Sequence, residues 1–358
     1  MKVCIIGDGL VSLTLAKMLI QKDILVEILS GKENSKYDKS RTLGISKSNA
    51  DYFNKEILNI NNILWNIRNI KVYTEKNLKE EILNFKNNKQ IFSIVKNFNL
   101  QKLLFKNLKK SKLIRFKKVN DYKNLIKQKY NLIINCNSKH EITKKFFFRR
   151  LEKNYNSFAY TTIIFHKETN NNTAFQYFTK NGPIAFLPIS ENQTSVVYSF
   201  KSRNKIEISE IKKLIHKYNP MYDIKKIDEC SCFKLKASNL RQYYKDNILA
   251  FGDLLHSIHP LAGQGFNMSL RDINLLSSLI DKKMNLGLDI DRSICHDFTI
   301  NSQDKNFLFS SGIDLIYELF NFESKINSDI LSKSIYALGK NKFINSSLQK
   351  FADKGLRS

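Results

Sequence analysis

The sequence predicts an α/β protein in which a Rossmann-like dinucleotide-binding part is interleaved with an antiparallel β-sheet part and followed by a helical C-terminal region. Three observations carry this. Val3 to Ile6, the turn Gly7-Asp8-Gly9, Leu10 to Gln21 and Ile24 to Leu29 read as strand, glycine turn, helix and strand, one βαβ unit. Phe158 to His166, Ala174 to Phe178, Ile184 to Pro188 and Thr194 to Phe200 read as successive strands joined by Asn/Gly turns. After a strand at Ile248 to Phe251 and a loop, the chain turns helical in period from about Gln264 onward, with Phe and Leu on the buried face. Between the first two regions, residues 70 to 150 alternate short apolar runs with Lys/Asn-rich helical stretches.

The first unit ends its strand in Gly7-Asp8-Gly9-Leu10-Val11-Ser12. Gly7 permits the tight turn, Gly9 lets backbone approach a pyrophosphate, and the helix start offers unpaired N–H groups and a positive dipole end. Ser12 takes the place of a third glycine and is small enough to keep helix and strand close. An acidic residue for a ribose hydroxyl is expected about 20 residues on, at the end of the second strand. Val26-Glu27-Ile28-Leu29 ends instead in Ser30, with Glu27 inside the strand pattern. Either Ser30 bonds the ribose or Glu33 reaches back.

Leu249 to Phe251 then delivers Gly252-Asp253, where a carboxylate can accept from a sugar-alcohol hydroxyl. The loop His256-Ser257-Ile258-His259-Pro260-Leu261-Ala262 and Gly263-Gln264-Gly265-Phe266-Asn267 present N–H groups at a helix start. Such donors suit the N1/O2 edge of an isoalloxazine, which becomes anionic on reduction. This stretch resembles the GD…HP..GQG.N…D signature of the flavoprotein aromatic monooxygenases, the para-hydroxybenzoate-hydroxylase-like group, and within it the ubiquinone-biosynthesis branch. Weaker pieces follow in the same order: Ser40-Arg41-Thr42-Leu43-Gly44-Ile45-Ser46 resembles the arginine segment beside the flavin. Ile94-Val95-Lys96-Asn97 with Leu100 and Leu103 resembles the strand-to-helix segment before a second FAD contact, and Phe158 to Phe200 the sheet roofing the substrate.

The resemblance implies FAD held by Gly7, Gly9, Ser12, Ser30, Arg41, Gly252, Asp253, Pro260, Gly263, Gln264, Gly265, Phe266 and Asn267, with no catalytic side chain assigned and no metal. It implies FAD-binding segments at 1–70, 97–152 and 239–290, substrate-domain strands at 71–96, an antiparallel substrate domain at 153–238 and a helical region at 291–358. The implied reaction is hydroxylation of a polyprenylphenol in ubiquinone biosynthesis with NAD(P)H and O2. The partners expected are that aromatic lipid, a membrane surface and other ubiquinone-biosynthesis proteins.

The sequence also departs from the family. The second fingerprint, an Asp-Gly pair, falls at Asn137-Ser138 in Leu132-Ile133-Ile134-Asn135-Cys136-Asn137-Ser138, where Ser is expected to permit the backbone geometry poorly. Leu254-Leu255 and Ser269 crowd positions that are normally small. These changes leave open a catalytically impaired, flavin-binding accessory protein of a ubiquinone-synthesis assembly.

Composition narrows the rest. Hydrophobic residues make up 42% of the 358 and Pro only 4 residues, which suits a packed globular chain. The net charge of +26 arises from Lys that, with Asn and Ile, is abundant throughout. It reads as compositional bias rather than a patch. What it can serve is a membrane surface, where each Lys or Arg adds about 1 kcal/mol; no nucleic-acid module is present. Five scattered cysteines support neither a disulfide framework nor zinc. With no membrane-spanning apolar run and a strand at Lys2, the expected location is cytoplasmic, peripheral on the inner face of the membrane. His256 and His259, lacking an acidic or Cys companion nearby in sequence, are expected to shape the loop by hydrogen bonding, and His296 beside Cys295 to be a surface or packing residue.

Overall fold

A computed structural model of the chain describes residues 1–30, 40–76, 78, 80–88, 90–118, 125, 128–260, 263–326 and 342–356; Glu33, Leu261 and Ala262 lie outside them. The chain opens with β1 (Lys2–Ile6), α1 (Leu10–Ile20) and β2 (Leu25–Ser30). β1 and β2 are parallel, Val3 opposite Val26 and Ile6 opposite Leu29, as the βαβ reading requires. β3 (Thr42–Ser46), α2 (Lys47–Glu56), β4 (Trp65–Ile67), β5 (Asn69–Thr74), β6 (Leu83–Lys86), β7 (Phe92–Lys96) and α3 (Asn97–Leu108) follow. Next come β8 (Ile114–Lys118), β9 (Leu132–Asn135) and α4 (Glu141–Phe146).

The apolar runs of β1 and β9 lie at the centre of a sheet, buried on both faces, which is why they read as unbroken hydrophobic segments. Among the described residues that sheet has the order β16-β17-β9-β1-β2-β8, where β16 is Tyr244–Lys245 and β17 Ile248–Ala250. β17 is parallel to β9, so residues some 240 positions apart share one cofactor-type sheet. Glu27, inside β2, is fully buried. Burial opposes its charge, but hydrogen bonds from Tyr130, Lys117 and Lys2 hold its carboxyl below the usual range. It belongs to the sheet and not to a ribose site.

The second layer is β10 (Arg150–His166), β11 (Thr173–Thr179), β12 (Gly182–Ser190), β13 (Gln193–Lys201), α5 (Ile208–Lys217), β14 (Ile224–Ile227) and β15 (Ser231–Leu240), with β18 (His256–Ser257) at its edge. β10 to β13 pair antiparallel, in keeping with the sequence reading. β10, however, begins at Arg150, eight residues before the run read from sequence, and its pairing with β15 shifts register between Asn154 and Phe158. A second difference is that β5 adds to this sheet in parallel with β11, Tyr73 opposite Tyr177. The stretch 71–96 is also divided. β5 and β6 join the large sheet, whereas β7 pairs with β3 and β4 in a small separate one.

Among the described residues three further helices follow: α6 (Gln264–Asn285), α7 (Arg292–Ile326) and α8 (Lys342–Lys354). α6 buries Phe266, Leu270, Ile273, Leu276 and Ile280 in the core around β1 and α1, a spacing of three and four that keeps one helical face inward. α7 places Phe309, Ile313 and Tyr317 against β10 and β15. Among the described residues no helix is long and apolar enough to cross a membrane.

Candidate functional site: a cofactor cleft backed by an apolar cavity

The cleft is built where two helices begin. β1 leaves the sheet through Gly7, whose φ of +111° L side chains rarely adopt, and whose N–H donates to Leu29 O at 2.9 Å. The turn thereby lies beside the end of β2, where Ser30 stands. α1 starts after Gly9 with no side-chain cap, so the N–H groups of its first turn point outward without a side-chain acceptor.

α6 starts after Gly263 in the same uncapped state, with Gly263 in the left-handed region at φ +62°. A Cβ added to Gly9 or to Gly265 would meet no atom within 4 Å. Space inside the protein does not require these glycines. They keep two N–H-bearing backbones open to something that approaches closely, and a dinucleotide with its pyrophosphate and flavin edge fits that demand.

Gly252 brings the two starts together. Its φ is +66°, and a Cβ there would lie 3.1 Å from Val11 Cγ1. Packing of Gly252 on the first turn of α1 sets Asp253, whose side chain is exposed, beside the first fingerprint. Gln101, on α3, donates to Asp8 O at 3.3 Å, and Arg41 accepts at its carbonyl from Asn97 N, at the start of α3, at 3.0 Å. The pieces read as a family pattern thus converge on one cleft. Pro260 is half-buried beside His259.

Asn267 has a different part from its neighbours. Its Nδ2 donates to Gly44 O at 3.0 Å and Gly263 O at 3.2 Å, and its Oδ1 accepts from Ser46 N at 2.9 Å and Asn49 Nδ2 at 3.0 Å. That fills the side chain's two donors and two acceptor positions, so it braces the loop against β3. Gly44 is a partner that no local pattern singles out: a Cβ on Gly263 would sit 3.1 Å from Gly44 N. Phe266 is buried in the core, while Gln264 accepts at Oε1 from Arg271 Nη2 at 2.9 Å.

Two readings of the loop are corrected. His256 does have an acidic companion: Asp272, on the inward face of α6, meets its Nε2 at 2.7 Å with both side chains fully buried, and Asn306 of α7 donates to the same carboxylate at 3.1 Å. His259 makes no hydrogen bond with either ring nitrogen among the described residues. Its ring stacks on Tyr317 at 4.2 Å and meets Tyr155 edge-on at 5.0 Å. Burial, helped by Lys153, pushes its pKa down to about 3 and keeps it neutral. Among the described residues no group of three or more His, Cys, Asp or Glu side chains could hold a metal ion. His296 is exposed and Cys295 buried.

The Asn137-Ser138 departure also looks different in three dimensions. Neither residue has a positive φ, so the backbone there does not require glycine. Asn137 Oδ1 accepts from Lys139 N at 2.9 Å and its carbonyl from Thr143 Oγ1 at 2.7 Å. Its Cβ lies 3.7 Å from the position a Gly7 side chain would take. Leu254, Leu255 and Ser269 are all buried.

Behind the α6 start lies a cavity of about 260 Å³, into which Gln264 and Asn267 project from the loop side. Its walls are apolar: Val72 and Leu83 from the strands, Phe309 and Ile313 from α7, Leu348 and Phe351 from α8. α8 is latched in place by Asp353, which accepts at its carbonyl from Ser46 Oγ at 2.9 Å and at Oδ1 from Ser48 N at 2.8 Å.

Comparison with known proteins agrees with this architecture. The FAD binding domain family matches residues 156–285. Over 156 residues the chain is 28% identical to the 3-demethoxyubiquinol 3-hydroxylase of Escherichia coli (strain K12), covering 41% of this chain and 40% of that protein. Over 211 residues it is 25% identical to a mitochondrial ubiquinone biosynthesis monooxygenase of Xenopus tropicalis, covering 47% of this chain and 45% of that one. Over these parts of its length the chain is similar to FAD-dependent monooxygenases. A Klebsiella pneumoniae HpxO variant solved with FAD has the same fold, with a TM-score of 0.77 at 12% identity over 99% of both chains. The family's cofactor is FAD, and the uncapped helix starts fit it. The matched stretches span less than half the length of the curated relatives.

Proposed function

We propose that the protein is a monooxygenase of ubiquinone biosynthesis, hydroxylating the ring of a polyprenylated phenol with FAD, NAD(P)H and O2. One oxygen atom enters the ring and the other leaves as water, with NAD(P)H supplying the two electrons. One observation carries the reading: the uncapped start of α6, whose N–H groups would face the cofactor, also lines the apolar cavity through Gln264 and Asn267. A ring held there lies against the cofactor edge and away from bulk water.

The residue roles follow from the cleft. Gly7, Gly9 and the first turn of α1, with Ser12 behind them, would cradle the pyrophosphate; Ser30 is placed for the ribose and Asp253 for the sugar-alcohol hydroxyls. Arg41, Pro260 and the N–H groups of Gly265 and Phe266 would border the isoalloxazine, with Gln264 and Asn267 setting the loop. Bound FAD supplies the redox and oxygen chemistry. We assign the cofactor segments to 1–70, 97–152 and 239–290 and the substrate segments to 71–96 and 153–238, apart from β7, which pairs with β3 and β4, with 291–358 closing the cavity. A substrate with a prenyl tail also suits peripheral attachment to the inner face of a membrane and work beside other enzymes of the same synthesis. The accessory-protein reading has no observation in its favour.

The visible spectrum of the purified protein, followed by product analysis with a prenylated phenol, NADPH and O2, tests this. Oxidised-flavin bands and a hydroxylated product are expected. Asp253→Ala should lower FAD affinity roughly ten- to a hundredfold, the loss of about 1.5–3 kcal/mol from a charge-assisted hydrogen bond. Unchanged flavin content in a folded variant would remove Asp253 from the site, and bound flavin that never turns over any phenol would remove the activity.

A further inference from the structure

α7 carries its apolar side chains on two faces. One packs inward; the other does not. Leu308, Leu315, Leu319 and Phe322 are exposed by 59, 59, 39 and 61%. At spacings of seven, four and three they fall on one stripe of the helix, about 21 Å long at 1.5 Å per residue. Ser311 and Gly312 are the other residues on that stripe, so from Leu308 to Phe322 it bears no charge. Ile316, at its margin, is 39% exposed, and Leu348 of α8 is 40% exposed; both also line the cavity. The stripe and the cavity wall therefore meet at the border of α7 and α8, where Gly312 faces Phe351. Asp304 and Lys305 stand exposed one turn before Leu308, Glu318 borders the stripe, and Lys350 and Lys354 are exposed on α8.

We propose that this stripe is the surface by which the protein lies on an anionic phospholipid bilayer, and that a prenyl tail passes between Ile316 and Leu348 from the bilayer into the cavity. Two features choose the occupant. A net charge of +26 repels a second copy of the chain and attracts an anionic surface. An opening made of aliphatic side chains gives a lipid tail a continuous apolar route, whereas a protein partner would gain nothing from a hole in its interface. The half concerning the tail rests on the proposed substrate; the half concerning the bilayer does not.

The test separates them. Wild-type chain and the double variant Leu315→Glu with Leu319→Glu, both FAD-loaded, are floated with vesicles of phosphatidylcholine containing phosphatidylglycerol. Turnover is measured in parallel on a vesicle-borne prenylphenol and on a short-chain, water-soluble phenol. Both positions are exposed and outside the cavity, so flavin content and turnover of the soluble phenol should stay at wild-type levels. Vesicle binding should fall more than tenfold, and turnover of the vesicle-borne substrate with it. Equal flotation of the two proteins would overturn the docking surface, as would a wild-type dimer that the substitutions convert to monomers. Impaired flotation with unimpaired turnover of the vesicle-borne phenol would overturn the tail route. Flotation that responds as expected while neither phenol is turned over would leave docking standing and reject the proposed substrate.

Discussion

Two helices in this molecule begin at a glycine and without a side-chain cap, α1 after Gly9 and α6 after Gly263, yet their surroundings are opposite in kind. The start of α1 is local. Its turn needs Gly7 and a small residue at Ser12, five positions apart, although Leu29, Gln101 and Gly252 pack around it. The start of α6 is a junction of distant segments: Gly263 is pressed against Gly44, and Asn267 ties Gly44, Ser46 and Asn49 to it. The same ligand-facing geometry is thus reached once by a short motif and once by tertiary assembly. A defect at the second should damage the fold before it damages binding, and a defect at the first should do the reverse.

The largest effect is expected at Gly263→Val. The left-handed φ costs an L residue about 1–2 kcal/mol, and crowding against the Gly44 backbone adds about 1–3 kcal/mol. Urea unfolding of the apoprotein should show the loss; a midpoint equal to wild type would mean the junction is soft and the contrast false. Gly9→Val comes next. Since a Cβ there meets nothing, the apoprotein should unfold within about 1 kcal/mol of wild type, while FAD affinity drops roughly a hundredfold or more, about 2.7 kcal/mol. Retained affinity would show that the cofactor does not approach α1 closely.

At neutral pH the smallest effect concerns the loop leading to Gly263, and it grows only as the pH falls. His259 has its ordinary value of 6.5 when unfolded and about 3 when folded. Above pH 6.5 it is neutral in both states and contributes no pH dependence. As pH falls below 6.5 the unfolded chain takes up a proton that the folded chain refuses, so stability declines, by up to about 1.4 kcal/mol per pH unit. Lys153 and Glu318 are the charges acting on the ring, from β10 and α7. His259→Phe, measured from pH 7 to 4, should flatten that decline relative to wild type; parallel curves would show that the ring is protonated in the folded state after all.

What could be read from the sequence follows the same division. β1, β9 and the glycine turn were legible because burial on both faces writes an apolar run and a positive φ writes a glycine. So was the antiparallel run from Phe158 to Phe200, where successive strands are joined by short turns. Asp272 beside His256 was not, because a helix face brings together residues 16 positions apart that share no local pattern. Nor was the parallel pairing of β5 with β11, whose segments are separated by about a hundred residues and whose side chains suit either orientation. The Asn137-Ser138 change was visible but its cost was not: only the backbone angles show that no glycine is needed there. The cavity depends on α8 meeting strands from the first quarter of the chain, and no spacing rule reaches that far.

The latch at Asp353 sets an order of events. Ser46 Oγ and Asp353 O are 307 positions apart, so a growing chain has exposed β3 and the whole antiparallel sheet to solvent long before their partner is synthesised. Loop-closure entropy rises by only about 0.6 kcal/mol for each doubling of length, so the contact is late without being weak. Until it forms, the cavity is an open trough with Val72, Leu83 and Phe309 facing water, the kind of surface that chaperones hold and that aggregates when left uncovered.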